Sequence, residues 1–260
     1  MWMLIPAALT FRSPGRQAVP LVFLRQEKLC KEETIEMISI AIDGPSGAGK
    51  STLARSLAEK LGYLYIDTGA IYRTIGLYAY EADIDPKNET AVAAVLPELD
   101  IRLTHGEDGL QHMILNDCDV TQEIRLPHVS LCASAVSAHP SVRAYLLEMQ
   151  RELARTNNVI MDGRDIGTVV LPNADVKIFL TASAEARAQR RMKELEERGT
   201  PQPFETVLKE IEERDYQDSH RAAAPLKQAE DAALLDTTAL DFRQSQEALL
   251  AIIRERTEHS

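Results

Sequence analysis

An α/β fold, with helices on both faces of a five-stranded parallel sheet, is predicted for this chain by three observations. Five short apolar runs, at residues 38–42, 63–66, 159–161, 176–180 and 233–235, are separated by long helical patterns, the alternation that builds a doubly wound sheet. The first run leads directly into Gly44-x-x-x-x-Gly49-Lys50-Ser51, which is the spacing of a phosphate-binding loop between a strand and a helix. A chain of 260 residues with 45% apolar side chains is long enough to bury one large α/β core with an insertion.

Residues 1–36 stand outside that pattern. Their first nine residues are apolar but too few to span a membrane, and no basic residue precedes them as a secretory leader requires. They are read as an extension outside the fold, with Met37 as an alternative start of translation.

The loop that follows the first strand carries the clearest chemistry. Gly44, Pro45, Ser46, Gly47, Ala48, Gly49, Lys50, Ser51 and Thr52 form a turn whose glycines permit close backbone approach to a ligand. Leu53, Leu57 and Leu61 then recur on one face of a helix. Loop N–H groups and the positive helix end suit phosphate, Lys50 suits the outer phosphates of ATP, and the Ser51 hydroxyl suits Mg²⁺. These features predict a P-loop NTPase fold that binds a nucleoside triphosphate.

Two segments interrupt the strand–helix alternation. Residues 100–105 and 110–115, joined by Gly-Glu-Asp-Gly, read as an antiparallel hairpin and place an insertion at 95–127. Residues 184–217 are rich in charge, with Glu-Arg-Gly-Thr-Pro at 197–201 dividing two helices, and are read as a lid. The P-loop core then comprises 37–94, 128–183 and 218–260, the last part ending in an amphipathic helix at 244–256.

A net charge of −11 argues against binding a nucleic-acid polymer, which requires many cations, and leaves small phosphorylated substrates open. Cys30, Cys118 and Cys132 are widely spaced and odd in number, so they read as reduced thiols of a cytoplasmic protein rather than a metal site or disulfide framework. No exposed apolar stripe stands out, and a monomer that binds no membrane is expected.

Three further stretches point to the acceptor. Tyr65-Ile-Asp67-Thr68-Gly-Ala-Ile-Tyr-Arg73 leaves a strand for a helix, with Thr68 as its expected cap. Asp162-Gly-Arg164-Asp165-Ile-Gly-Thr168 sets a carboxylate at a strand's carboxyl edge, where ligands bind in open α/β sheets. Asp162 there suits a water of the Mg²⁺ shell, and Arg164 and Asp165 suit the acceptor. Arg214, Asp218 and Arg221 fall at i, i+4 and i+7, one face of a helix.

Taken together, the P-loop, Asp67–Arg73, Asp162–Thr168 and Arg214–Arg221 followed by Ala-Ala-Ala-Pro-Leu resemble the bacterial cytidylate kinases from about residue 38 to the C-terminus. The resemblance implies phosphorylation of CMP and dCMP by ATP with Mg²⁺. It implies cytosine contacts at Ser134, Arg143 and Asp165, a ribose contact at Asp218, and phosphate contacts at Thr68, Arg73, Arg164 and Arg221, with Arg214 beside them. Lys50, Arg164 and lid arginines among Arg187, Arg190 and Arg191 would act on the transferred group. Gln217 and Ser219 stand where relatives can carry basic residues, so no phosphate contact is carried over to them. Cytosine offers an amino donor beside two acceptors, which a carboxylate and a guanidinium read together; uracil replaces that donor with an oxygen. A P-loop kinase for another monophosphate or a small hydroxylated acceptor, and a nucleotide-binding regulatory module, are the alternatives.

Overall fold

The first apolar run becomes β1 (Ser39–Asp43), the central strand of the sheet. A computed structural model of the protein describes residues 37–106 and 110–258. The reading of residues 1–36 as an extension therefore lies outside the described residues, as do residues 107–109 of the Gly-Glu-Asp-Gly turn. Around β1 lie β2 (Leu64–Asp67), β6 (Val159–Gly163), β7 (Val176–Thr181) and β8 (Ala233–Asp236), in the order β2-β6-β1-β7-β8. Every pairing among them is parallel.

Both faces of this sheet are covered, which is why its strands read as continuous apolar runs instead of alternating ones. Successive side chains of β1 still divide between the faces. Ile40 and Ile42 pack with α1 (Lys50–Leu61) and α8 (Phe242–Thr257), through Leu53, Leu57, Leu249 and Ile253. Ala41 faces the opposite core, beneath α2 (Thr68–Glu81), α4 (Pro127–Val136) and α5 (Pro140–Thr156).

The predicted hairpin is present as β3 (Ile101–His105) and β4 (Gln111–Leu115), with β5 (Cys118–Asp119) as a short third strand. Ile101, Met113, Leu115 and Ile124 share one core with Ile66, Ile71 and Ile75. α3 (Glu89–Val95) supplies Val92 to that core. The insertion is thus a wall of the main body. The charged segment forms α6 (Ala184–Glu197) and α7 (Phe204–His220), which pack on each other through Ala188, Leu195, Val207 and Ile211.

Two local expectations change. Asp67, not Thr68, caps α2, its carboxylate accepting from the Ala70 N–H at 2.9 Å; Asp67 still has the extended backbone of a cap, whereas Thr68 is already the first residue of the helix. α7 runs on to His220, so a core boundary at residue 218 cuts through a helix, and Arg221 sits just past the helix end on extended backbone. Arg214 and Asp218 share α7, whereas Arg221 reaches the site from the turn beyond.

α2 and α4 cross closely at Gly76, where a Cβ would lie 2.8 Å from the Ala133 amide nitrogen and 3.1 Å from its Cα. Backbone cannot yield as a side chain does. Gly76→Ala is expected to destabilise the protein by about 1–3 kcal/mol through overpacking, read as a lower urea midpoint. A midpoint at or above the wild-type value would show that α4 is free to shift.

Candidate active site

Carboxylates end three neighbouring strands at one edge of the sheet. Asp67 pairs in register with Asp162, Ile42 with Asp162, and Asp43 with Gly163. This edge lies at the carboxyl ends of β1 and β6, with the loop before α1 and the start of α2 above it.

Gly44 begins the loop with φ of 150° and its Cα against the Leu180 carbonyl oxygen, 1.9 Å from where a Cβ would stand. Gly49 precedes α1 in a left-handed conformation and offers no side-chain cap, so the first N–H groups of α1 remain available to an anion. Lys50 is buried, and its Nζ donates to the Pro45 carbonyl at 2.7 Å. Burial, then the Arg164 guanidinium, holds its pKa well below the ordinary lysine value. Ser51 donates to Asp162 Oδ2 at 2.7 Å, and the Tyr65 hydroxyl donates to Oδ1 at 3.1 Å. Burial, then Asp67, pushes the Asp162 carboxyl up to about 6.

Across the cleft, Thr68 donates from Oγ1 to the Asp162 carbonyl at 2.8 Å. Arg73 pairs with Asp67 at 2.7 Å. Arg164 pairs through Nε with Asp218 at 2.7 Å, in a setting where both side chains are largely buried. Asp165 receives Arg143 on one oxygen and Arg221 on the other, the latter at 3.3 Å. Arg214 is crowded by Arg164, Arg73 and Arg191 and opposed by Asp218; burial first, then Arg164, lowers its pKa to about 10. Among the described residues, Arg73 Nε and Arg214 Nε have no hydrogen-bond partner. Buried cations without full compensation make this side of the cleft a place for a small multiply charged anion.

Beside the Arg143–Asp165 pair a cavity of about 80 Å³ is walled by Leu147, Val169 and Val170 and also bordered by Tyr72 and Gln150. Ser134 lies on α4, and no hydrogen bond joins its side chain to Arg143 or Asp165 among the described residues.

The lid arginines separate into different roles. Arg187 is buried, forked onto Asp215 of α7 and bonded to the Ser46 carbonyl at 3.0 Å. Arg190 donates to the Thr237 carbonyl at 2.6 Å and to Ala48 O at 3.4 Å. Arg191 pairs with Glu194 at the surface and is near enough to act on Arg214 electrostatically. The first two therefore each donate to a carbonyl of the phosphate loop.

Sequence reasoning passed over several residues that the structure brings in. Asp43 accepts the Ile166 and Gly167 N–H groups, each at 2.7 Å, one on each carboxylate oxygen. Gln111, from the hairpin, accepts from the Asp67 N–H at 2.7 Å and donates to its carbonyl at 3.3 Å. Asp43 had a legible signal, an acidic residue ending an apolar strand just before the glycine loop. Gln111 had none, since its partner lies 44 residues away.

The family model described as cytidylate kinase matches residues 40–255. A cytidylate kinase of Carboxydothermus hydrogenoformans is 48% identical over 219 residues, covering 84% of this chain and 98% of that protein. One of Leuconostoc mesenteroides is 53% identical over 199 residues, covering 76% and 88%. One of Oceanobacillus iheyensis is 46% identical over 215 residues, covering 83% and 93%.

Burial raises the Asp43 carboxyl from 3.8 to about 6 against the two N–H groups that oppose the rise. A folded-state pKa above the unfolded one means that ionising Asp43 costs stability as pH climbs through this window. Asp43→Asn removes that titration. The stability advantage of wild type over the variant is therefore expected to be largest near pH 4 and to shrink toward pH 7, as thermal melts across that range will read. An advantage that grows with pH would contradict the assignment.

Proposed function

The chain belongs to the cytidylate kinase family, and we propose that the cleft described above transfers the γ-phosphoryl group of ATP to CMP and dCMP, giving ADP with CDP or dCDP. The observation that carries the site assignment is the crowding of Arg73, Arg164 and Arg214 opposite the phosphate loop, with Asp218 and the Arg143–Asp165 pair beside them.

In this reading the loop from Gly44 to Thr52 holds the triphosphate and Lys50 neutralises its outer charge. Arg73, Arg164 and Arg221, with Thr68, hold the acceptor phosphate. Planar guanidinium groups suit this task because each matches two phosphate oxygens at once. Arg143, Asp165 and Ser134 read cytosine, and Asp218 accepts from the ribose. The acceptor oxygen already carries negative charge at neutral pH, so no side chain is required to remove a proton. The work consists of alignment and charge neutralisation. Arg191 is the lid arginine left to approach the transferred group, while Arg190 keeps the loop in shape.

The donor set fits Mg²⁺. A hydroxyl at Ser51 hydrogen-bonded to a buried carboxylate at Asp162 is an oxygen pair of the kind this ion takes, directly or through water, alongside substrate phosphates. Among the described residues no cluster of three or more His, Cys, Asp or Glu side chains forms a self-sufficient metal cage, which is consistent with an ion that arrives on the nucleotide. When bound it would neutralise charge shared between the transferred and leaving oxygens. Free Cys118 and Cys132 support a cytoplasmic setting, and a monomer is proposed. No described helix is long and apolar enough to cross a membrane.

A coupled assay of ADP release across CMP, dCMP, UMP, AMP and shikimate tests the reading: CMP and dCMP are expected to lead. Turnover led by AMP or shikimate, or release of ADP independent of any acceptor, would favour the other kinase or the regulatory module. Lys50→Met is expected to lower kcat by about 10²-fold or more at saturating ATP. Asp218→Ala removes a charged hydrogen-bond acceptor and frees Arg164 from its partner. It is expected to cut kcat/KM roughly 10- to 150-fold, more for CMP than for dCMP if the 2′-hydroxyl is also bound. A change below about threefold for both substrates would remove Asp218 from the site.

A further inference from the structure

The inward face of α5 is a stripe at four-residue spacing: Val142, Leu146, Gln150 and Ala154 are its buried residues. Three of these are apolar. The fourth is a glutamine with 1% of its surface exposed, at a position where a leucine or methionine would pack without unmet polar groups. Its Nε2 donates to the Leu146 carbonyl at 3.2 Å. That bond fixes the amide orientation, because the reverse would set two oxygens face to face. The other end, Oε1, is buried and has no hydrogen-bond partner among the described residues. A buried acceptor left unpaired lowers stability, and unpaired polar groups of this kind are uncommon in folded proteins.

Gln150 lines the same small cavity as Arg143 and Asp165. The remaining wall is made of Ala144, Leu147, Val169 and Val170, with Tyr72 beside it; the Tyr72 hydroxyl lies near the Gln150 amide and makes no hydrogen bond to Oε1. A ligand edge bearing an N–H donor would meet it.

We infer that Gln150 Oε1 is a further specificity determinant of the base pocket, accepting a hydrogen from the exocyclic amino group of cytosine directly or through one bound water. The inference rests on the proposal that this cavity takes the base of CMP. Cytosine's amino group has two hydrogens, so Asp165 and Gln150 can each take one. Uracil presents an oxygen there, which would face Gln150 Oε1 with no hydrogen between them. Rejection of uracil would then arise from two acceptors facing its carbonyl oxygen rather than one, with Gln150 Oε1 left unpaired.

Gln150→Met keeps the length of the side chain and removes the acceptor. Two results are expected together: the ratio of kcat/KM for CMP to that for UMP falls at least tenfold, on the scale of one hydrogen bond, and the melting temperature of the ligand-free protein does not drop. The KM for ATP stays within twofold. A purely structural role predicts the opposite pattern, a lower melting temperature with the CMP-to-UMP ratio unchanged, and that result overturns the inference. Should the variant fail to fold, a crystal structure of the wild-type protein with CMP reads the contact directly. Oε1 more than 4 Å from the amino nitrogen with no bridging water also overturns it; a contact or a single bridging water at hydrogen-bonding distance supports it. Wild-type protein that phosphorylates neither CMP nor UMP would overturn the family reading of the cavity, and the inference with it. Wild-type preference for CMP with an unchanged ratio in the variant would remove Gln150 alone.

Discussion

The site depends on keeping charge buried at the carboxyl ends of two adjacent strands. Asp43 and Asp162 sit at the ends of β1 and β6, each at most 5% exposed, where an unpaired carboxylate would be costly. Each is answered differently. Asp43 is met by two backbone N–H groups of the turn after Asp165, and Asp162 by the Ser51 and Tyr65 hydroxyls with Lys50 in range. Those partners belong to the phosphate loop, to β2 and to the Arg164–Asp165 turn. Satisfying two carboxylates therefore fixes the phosphate loop and the Arg164–Asp165 turn relative to each other.

The arginines divide by the company they keep. Arg187 is held by Asp215 and by loop and strand-end carbonyls, and Arg190 by the Thr237 and Ala48 carbonyls. They stiffen the loop from the α6 side. Arg73, Arg164 and Arg214 crowd one another with fewer acidic partners than guanidinium groups, so their mutual repulsion is present before any ligand binds. An anion placed among them would relieve it. A site assembled in this strained, oriented form needs little rearrangement at the moment of reaction, which is the condition under which fixed charges are most effective in catalysis.

The parts visible in the sequence were those fixed by local chemistry. Glycine spacing before Lys50 announced the loop, and five apolar runs gave strands that differ from the observed ones by one or two residues at their ends. The Asp162–Thr168 turn was visible because its charged residues lie next to one another. What the sequence hid depended on distant partners. Thr68 was expected to cap α2, but Asp67 does so, freeing the Thr68 hydroxyl for the Asp162 carbonyl. The insertion was legible as an antiparallel hairpin, but not that its apolar face completes the core under α2. Gln111 and Gln150 are ordinary polar letters within strand and helix patterns; only burial gives them meaning.

Those two glutamines mark the limit between packing and recognition. Both are buried side-chain amides. Gln111 uses both ends of its amide on the Asp67 backbone, which ties the insertion to the start of α2, the helix carrying Thr68 and Arg73. Its function is complete within the fold. Gln150 uses only one end, within its own helix. A fully paired amide holds structure together, whereas a half-paired one beside a cavity keeps an unmet demand that folding does not satisfy. The difference is invisible to composition and to hydrophobic periodicity. It follows from counting which donors and acceptors each buried group has found.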